Sequence, residues 1–273
     1  MKPPILLVSA IRRIYLVVVL LSAGCHQEEK PPTPAIRYRI SKTVQTAFNF
    51  EQTTTYQYDG QNRLVAVREY PSIADTLANV TPTTVSTVNY QASAPARFDF
   101  TNQRLTKPAY TNGKLLYGLR RTFNYDSQGR IAVVTESNAL DDFKNFQLFQ
   151  TFQYEYGADN LPTTLIITGA APLLERNVYG YTFENGNAAH VKLAITNSRS
   201  SVPTLLEYDV RFDEAPGIYF NFFAIYPGVT SFNKNNVINT NTTHYQDERG
   251  LLIKRVRKGN YIDEVTEYTY ETY

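Results

Sequence analysis

The sequence predicts an all-β protein: a large curled antiparallel meander sheet, open or half-barrel-like, built from repeated β-hairpins. Three observations lead there. The 273 residues include 21 Tyr and 15 Phe, with Thr and Val also abundant and no long run of helical periodicity. Aromatic and β-branched side chains suit a pleated, half-buried surface. An aromatic–acid pair recurs along the chain at Tyr58-Asp59, Tyr125-Asp126, Tyr154-Glu155, Phe183-Glu184 and Phe212-Asp213, and the last four copies stand 29 residues apart. The connections between apolar runs are short, so neighbouring strands pair antiparallel.

Residues 1–24 read as an export signal. Lys2, Arg12 and Arg13 precede an apolar run from Ile14 to Leu21, and Ser22-Ala23-Gly24 then leads into Cys25, the sole cysteine. Cations, an apolar stretch and small residues are the layout of a cleaved secretory signal. A span would need ~20 apolar residues, more than this run supplies. A cysteine directly after the small residues resembles a bacterial lipobox, with Ser22 at the position where Leu is usual. The resemblance implies that the Cys25 thiol carries a diacylglycerol and anchors the protein to a membrane. His26-Gln27-Glu28-Glu29-Lys30 resembles the acidic export signal of Bacteroidota surface lipoproteins. That implies an outer-membrane, surface-exposed address, with a periplasm-facing one as the alternative. Pro31, Pro32 and Pro34 stiffen this tether, residues 25–35, ahead of one β domain over 36–273.

Cleavage before Cys25 changes the electrostatics. Loss of Lys2, Arg12 and Arg13 leaves 24 Lys and Arg against 25 Asp and Glu. No basic stripe remains, which argues against a nucleic-acid partner. With its only thiol acylated, the mature chain forms no disulfide and has no thiol nucleophile.

The repeat follows hairpin physics. Aromatics usually stand two residues before each pair (Tyr56, Phe123, Phe152, Tyr181), and residues i and i+2 share one strand face. The acid then ends the strand, because Asp can accept hydrogen bonds from backbone N–H groups just downstream. Gly or Asn supplies the left-handed residue of a tight loop. Tyr58-Asp59-Gly60-Gln61-Asn62-Arg63-Leu64 and Tyr125-Asp126-Ser127-Gln128-Gly129-Arg130-Ile131 are the fullest copies, and Gln246-Asp247-Glu248-Arg249-Gly250-Leu251 is a relative. Strands are expected near 53–58, 63–70, 83–90, 96–101, 116–125, 130–137, 146–156, 161–168, 176–184, 190–197, 204–213, 217–225, 240–246, 250–257 and 261–270. Residues 72–77 and 140–146 have room for a helical turn or two. The stretch from Asn221 to Asn239 reads either as a bulged strand or as a loop packing onto the sheet.

The Tyr-Asp-x-x-Gly-Arg-Ile motif at residues 125–131 resembles the tyrosine-aspartate repeats of Rhs-type proteins. Together with the lipobox, the degenerate copies over residues 36–273 resemble an uncharacterised family of Bacteroidota lipoproteins. The resemblance implies a hairpin-built β fold and brings no catalytic residues or cofactor with it.

Chemistry is sparse. His190 and His244 are the only histidines of the body, too few for a zinc site with three or four converging ligands. Ser231-Phe232-Asn233-Lys234 matches a Ser-x-x-Lys pattern, but an Asn-rich loop follows instead of the helix that chemistry needs. Asp126, Glu155, Glu184 and Asp213 could pair for glycoside hydrolysis. Their periodic placement instead reads as strand ends. The sequence therefore predicts a non-catalytic binding or structural module with no cofactor or metal, presenting aromatics to a glycan or protein partner. The alternative is a periplasm-facing carrier with a lipid or other amphiphile in an aliphatic hollow. A membrane-spanning barrel is a further possibility, hinted at by the terminal Tyr273.

Overall fold

The computed structural model describes residues 37–273 apart from 74–79, 91–97, 105–117, 140–144, 172–173, 198–199, 221, 224 and 261, and gives the backbone alone for 98–104 and 201. The signal, Cys25 and the tether lie outside the described residues, as do most of the two segments expected to hold helical turns.

Tyr38–Tyr273 forms one compact unit. Its strands are β1 (Tyr38–Ala47), β2 (Phe50–Tyr58), β3 (Leu64–Tyr70), β4 (Thr84–Tyr90), β5 (Phe98–Arg104), β6 (Gly118–Tyr125), β7 (Ile131–Ala139), β8 (Gln147–Tyr156) and β9 (Pro162–Gly169). Then come β10 (Arg176–Glu184), β11 (Asn187–Asn197), β12 (Ser200–Asp209), β13 (Arg211–Pro216), β14 (Asn235–Ile238), β15 (Thr242–Gln246), β16 (Leu252–Arg257) and β17 (Glu264–Thr272). Fifteen make one antiparallel sheet, ordered from β12 back to β1 and on through β17, β16 and β15. The sheet is open, with β12 and β15 as its ends. The strictly sequential meander expected from the connections therefore stops at β12. Strands β15 to β17 join on the far side of β1, and β13 and β14 pair only with each other.

Two strands were not expected. In β1, a bulge between Ile40 and Lys42 buries both Ile40 and Thr43, so the strand lacks a period of two. Strand β14 is four residues of Asn and aliphatics. The expected strand 204–213 breaks at Val210, whose N–H reaches the Ala189 carbonyl at 2.8 Å. The expected strand 217–225 does not form. Residues 210–239 are an excursion laid on the sheet, the second of the two readings of this stretch.

Four turns share one geometry. In Asp59 to Arg63, Asp59 N–H bonds the Arg63 carbonyl at 3.0 Å, and Asp59 Oδ1 accepts from Gln61 and Arg63 N–H, both at 2.9 Å. Asp126 to Arg130 and Asp247 to Leu251 repeat this. The fourth residue takes a left-handed φ each time: 62° at Asn62, 80° at Gly129 and 76° at Gly250. A bulge follows, pairing Tyr58 with Leu64 and Tyr125 with Ile131. The fourth member is a correction. It starts at Gly157, whose N–H bonds the Leu161 carbonyl at 2.9 Å, with Asn160 left-handed at φ 63°. Tyr156 thus holds the place assigned to Tyr154, and Tyr154-Glu155 lies inside β8. Phe183-Glu184 does end a strand, over the two-residue Asn185-Gly186 loop with φ of 52° and 81°. Phe212-Asp213 does not: it lies within β13.

Antiparallel alternation puts these turns on one rim. There three tyrosine hydroxyls donate to the neighbouring strand, Tyr58 to the Ile40 carbonyl, Tyr156 to Ile131 and Tyr270 to Leu252, at 2.8 to 2.9 Å. Arginines lie over the rings: Arg39 on Tyr58, Arg63 on Tyr90, Arg130 on Tyr156 and Arg249 on Tyr38, at 4.2 to 4.8 Å.

The repeated aromatics point inward. Tyr56, Phe123, Phe152, Tyr154, Tyr181 and Tyr268 are buried, and the excursion packs on them through Ala215, Ile218, Phe222, Ile225 and Phe232. Ile225 touches both core clusters and joins the two halves of the sheet. The outward positions carry Arg120, Gln153, Glu155, Lys192, Glu207 and Glu267, all exposed. The inner face is mainly aromatic and aliphatic, with Arg121 and Glu136 as a buried polar pair, and the outer face mixes these polar groups with an aliphatic row of Ile166, Val178 and Leu205 in register with Gln153.

Candidate functional site

Strand alternation and the excursion create a cleft of about 550 Å³ where β10, β11 and the end of β12 face β14. Tyr179 and Tyr181, two apart on β10, share its floor, their rings stacked at 6.1 Å and 10°. Tyr208 lines it from the sheet edge with 45% of its surface exposed. Val191 and Val237 add apolar wall, and Arg211, Asp209 and Asn239 add polar groups. Burial pushes the Tyr179 and Tyr181 hydroxyls up from the ordinary phenol value, so both stay protonated donors.

A second cavity of about 310 Å³ lies on the other side of β14 and shares Thr230, Asn233, Val237 and Asn239 with the cleft. His244, from β15, lines it. His244 Nδ1 lies 2.7 Å from Asp213 Oδ2, and both side chains are only 6% exposed. Asp213 Oδ1 also accepts the Asn236 N–H at 3.0 Å. Nε2 of His244 is buried and has no hydrogen-bond partner among the described residues.

The excursion is held in place by side chains bonding its backbone. Arg121 Nη1 donates to the Ile225 carbonyl at 2.8 Å while Arg121 Nε pairs with Glu136 at 2.6 Å, and Gln150 caps the other Glu136 oxygen at 2.8 Å. The Tyr154 hydroxyl donates to the Pro227 carbonyl. Asn233 Oδ1 accepts the Ala188 N–H, and Asn187 and Asn235 bond each other through side chain and backbone.

The residues singled out in the sequence are dispersed. Asp59, Asp126, Gly129 and Arg130 build turns; Glu155 stands on the outer wall; Glu184 closes a hairpin; Asp213 serves His244. Asp126, Glu155, Glu184 and Asp213 thus do four different things, and Glu155 and Asp213 lie on opposite sides of the sheet. Ser231 is fully buried and donates to the Tyr226 carbonyl at 2.6 Å, which ties up the Ser-x-x-Lys hydroxyl. His190 sits outside between Asp209 and Glu207, each at 2.8 Å, and hydrogen bonds to the two acids, Asp209 first, raise its pKa. Among the described residues no group of three or more His, Asp or Glu is arranged to hold a metal. The cleft tyrosines Tyr179 and Tyr208 and the Asp213–His244 pair were not singled out in the sequence. The separation of 31 positions from Asp213 to His244 leaves no local mark of their pairing.

No family model matches the chain, and no curated protein is similar to it. Among solved structures it is similar to a porin-like protein from Bacteroides uniformis ATCC 8492, at 12% identity over 85% of this chain and 96% of that chain, with a TM-score of 0.45. That similarity is too low to carry an argument. The class is defined by the sheet itself: an all-β protein whose open antiparallel sheet curls around an internal excursion.

Proposed function

We propose that the chain is a lipid-anchored, non-catalytic binding module of the outer membrane surface, which holds a glycan in the cleft of Tyr179, Tyr181 and Tyr208. On this reading residues 1–24 are removed, Cys25 is acylated, residues 25–35 are the tether and residues 36–273 bind. The single observation that carries it is the cleft. Stacked tyrosines with an exposed partner offer flat faces and hydroxyls to a flat, polar ligand. The open sheet, with β12 and β15 as its ends, supports anchoring by lipid, since a spanning barrel must close on itself. The amphiphile carrier is less well supported. Its hollow would be the inner face, which Ala215, Phe222, Ile225 and Phe232 already cover.

The test is affinity electrophoresis of the full chain in a series of soluble polysaccharides. Tyr208→Ala, at a half-exposed edge position, is expected to weaken the retarding polysaccharide about tenfold, the loss of one stacking ring, with unchanged thermal unfolding. Retardation equal to that of the wild type sinks the cleft. Retardation by none of the polysaccharides, together with protease-sensitive capture of a protein, would move the reading to a protein partner. In the same strain, Cys25→Ala should move the protein out of the membrane fraction.

A further inference from the structure

The Asp213–His244 pair lies beyond the tyrosine cleft and is not needed by it. A buried polar atom without a partner costs about 1–3 kcal/mol and calls for a specific reason. His244 Nε2 is such an atom, on a ring whose other nitrogen is fixed 2.7 Å from Asp213. The carboxylate holds the proton on Nδ1, because an acceptor there selects that tautomer. Nε2 then presents its lone pair to the cavity.

The other walls define what fits. Arg255 lines the same cavity, but Glu264 faces it at 3.1 Å, so its charge is already balanced. The Asp213 carboxylate is not among the residues that line the cavity, and it is hydrogen-bonded by the His244 ring and the Asn236 N–H. With no unpaired charge on its walls, the site favours a neutral ligand. Leu252, Ile218 and the Tyr268 ring supply apolar surface, and Asn233 and Asn239 supply amides. Apolar wall, amides and a fixed acceptor together match a ring with hydroxyls at its edge and C–H groups on its face.

We infer that the His244 cavity is a subsite for one neutral sugar ring, a hydroxyl of which donates to His244 Nε2. This rests on the glycan reading of the adjoining cleft and extends it past β14.

The test uses the full chain labelled with nitrogen-15 in its histidine rings, which number three: His26, His190 and His244. Glucose, galactose, mannose and N-acetylglucosamine are titrated separately, with inorganic phosphate as the anionic control. At least one sugar should shift the His244 Nε2 resonance and leave that of His26 in place, and phosphate should do neither. The double variant Asp213→Asn with His244→Gln puts a neutral pair able to hydrogen-bond in their place. It should bind that sugar about tenfold more weakly, as expected for one lost hydrogen bond. A His244 signal unmoved by all four sugars overturns the subsite, and a signal moved by phosphate alone overturns the choice of a neutral ligand. If a polysaccharide binds, depends on Tyr208 and leaves His244 unmoved, the subsite falls and the cleft stands. If neither site responds, both fall.

Discussion

The sheet and the excursion solve the same problem by different means. Every buried backbone N–H and C=O needs a partner. In the sheet the ladder supplies it, so side chains are free to sort by face, with the aromatics turned inward. The excursion lies against that inside, and beyond the short β13–β14 ladder it has isolated turn bonds such as those from the Phe222 and Tyr226 N–H groups to the Tyr219 and Phe222 carbonyls. Much of the remaining backbone is satisfied by side chains instead. Arg121 and Ser231 donate to the carbonyls of Ile225 and Tyr226, and Asn235 donates to that of Ala215, while Asn236 Oδ1 accepts the N–H of Ile218. The Asn-rich composition of residues 221–239 thus reflects backbone satisfaction. In the sheet, sequence pattern sets the fold; in the excursion, specific long-range polar pairs do. Damage should therefore be severe at single polar residues under the excursion and mild at single polar residues on the wall.

The largest test is Glu136→Ala. Glu136 is 4% exposed and holds Arg121, itself 13% exposed, beneath the Ile225 carbonyl. Removing one partner of a buried pair leaves an uncompensated charge and costs about 3–5 kcal/mol. Glu271→Ala removes the partner of Arg39 on the rim, where the carboxylate is 44% exposed, and such pairs are worth about 0–1 kcal/mol. Urea unfolding of both variants reads the contrast directly. Equal losses would mean that the excursion is no more dependent on its polar pairs than the wall.

Within the wall, a turn should respond by backbone angle and not by glycine content. Gly129 has φ of 80°, whereas Gly60, at the second place of its own turn, has no left-handed φ and open space where a methyl group would stand. Gly129→Ala forces an L side chain into the left-handed region at about 1–2 kcal/mol. Gly60→Ala should be close to neutral in thermal unfolding. A cost at Gly60 matching that at Gly129 would break the equivalence of the turns.

These angles also mark how far the sequence was legible. Asp59, Asp126 and Asp247 announce their turns because the acid, the left-handed residue and the following aliphatic are all local. The turn after Tyr156 carries Gly157 in place of the acid. Phe152, Tyr154 and Tyr156 all face inward, and a spacing of 29 selects the wrong one, although Asn160 at the fourth place after Tyr156 is a local mark of the turn. The inward aromatic face follows from a period of two. The cleft does not, because Tyr179, Tyr208 and Asn239 come together only through the excursion, and neither does the pairing of Asp213 with His244.

The smallest effect separates the two regions by pH. The Asp59, Asp126 and Asp247 carboxyls lie below the ordinary aspartate value. At Asp59 and Asp126 desolvation pushes upward, but hydrogen bonds from the backbone and side chain of Arg63 and Arg130 outweigh it. At Asp247 the Arg249 side chain is the leading cause of the lowering. A depressed folded value contributes stability that is present above the unfolded pKa, about 3.9, and is lost as pH falls through the folded one. Wild-type stability should therefore decline below about pH 4, as the turns protonate. The triple variant Asp59→Asn, Asp126→Asn, Asp247→Asn keeps an acceptor oxygen in each turn but has nothing to protonate there. Its unfolding free energy should start lower and fall less steeply in that window. The excursion offers no matching loss through these residues, since none of the three touches it. Parallel pH profiles for the two proteins would show that the acid sensitivity arises elsewhere and that the turn carboxylates act through shape alone.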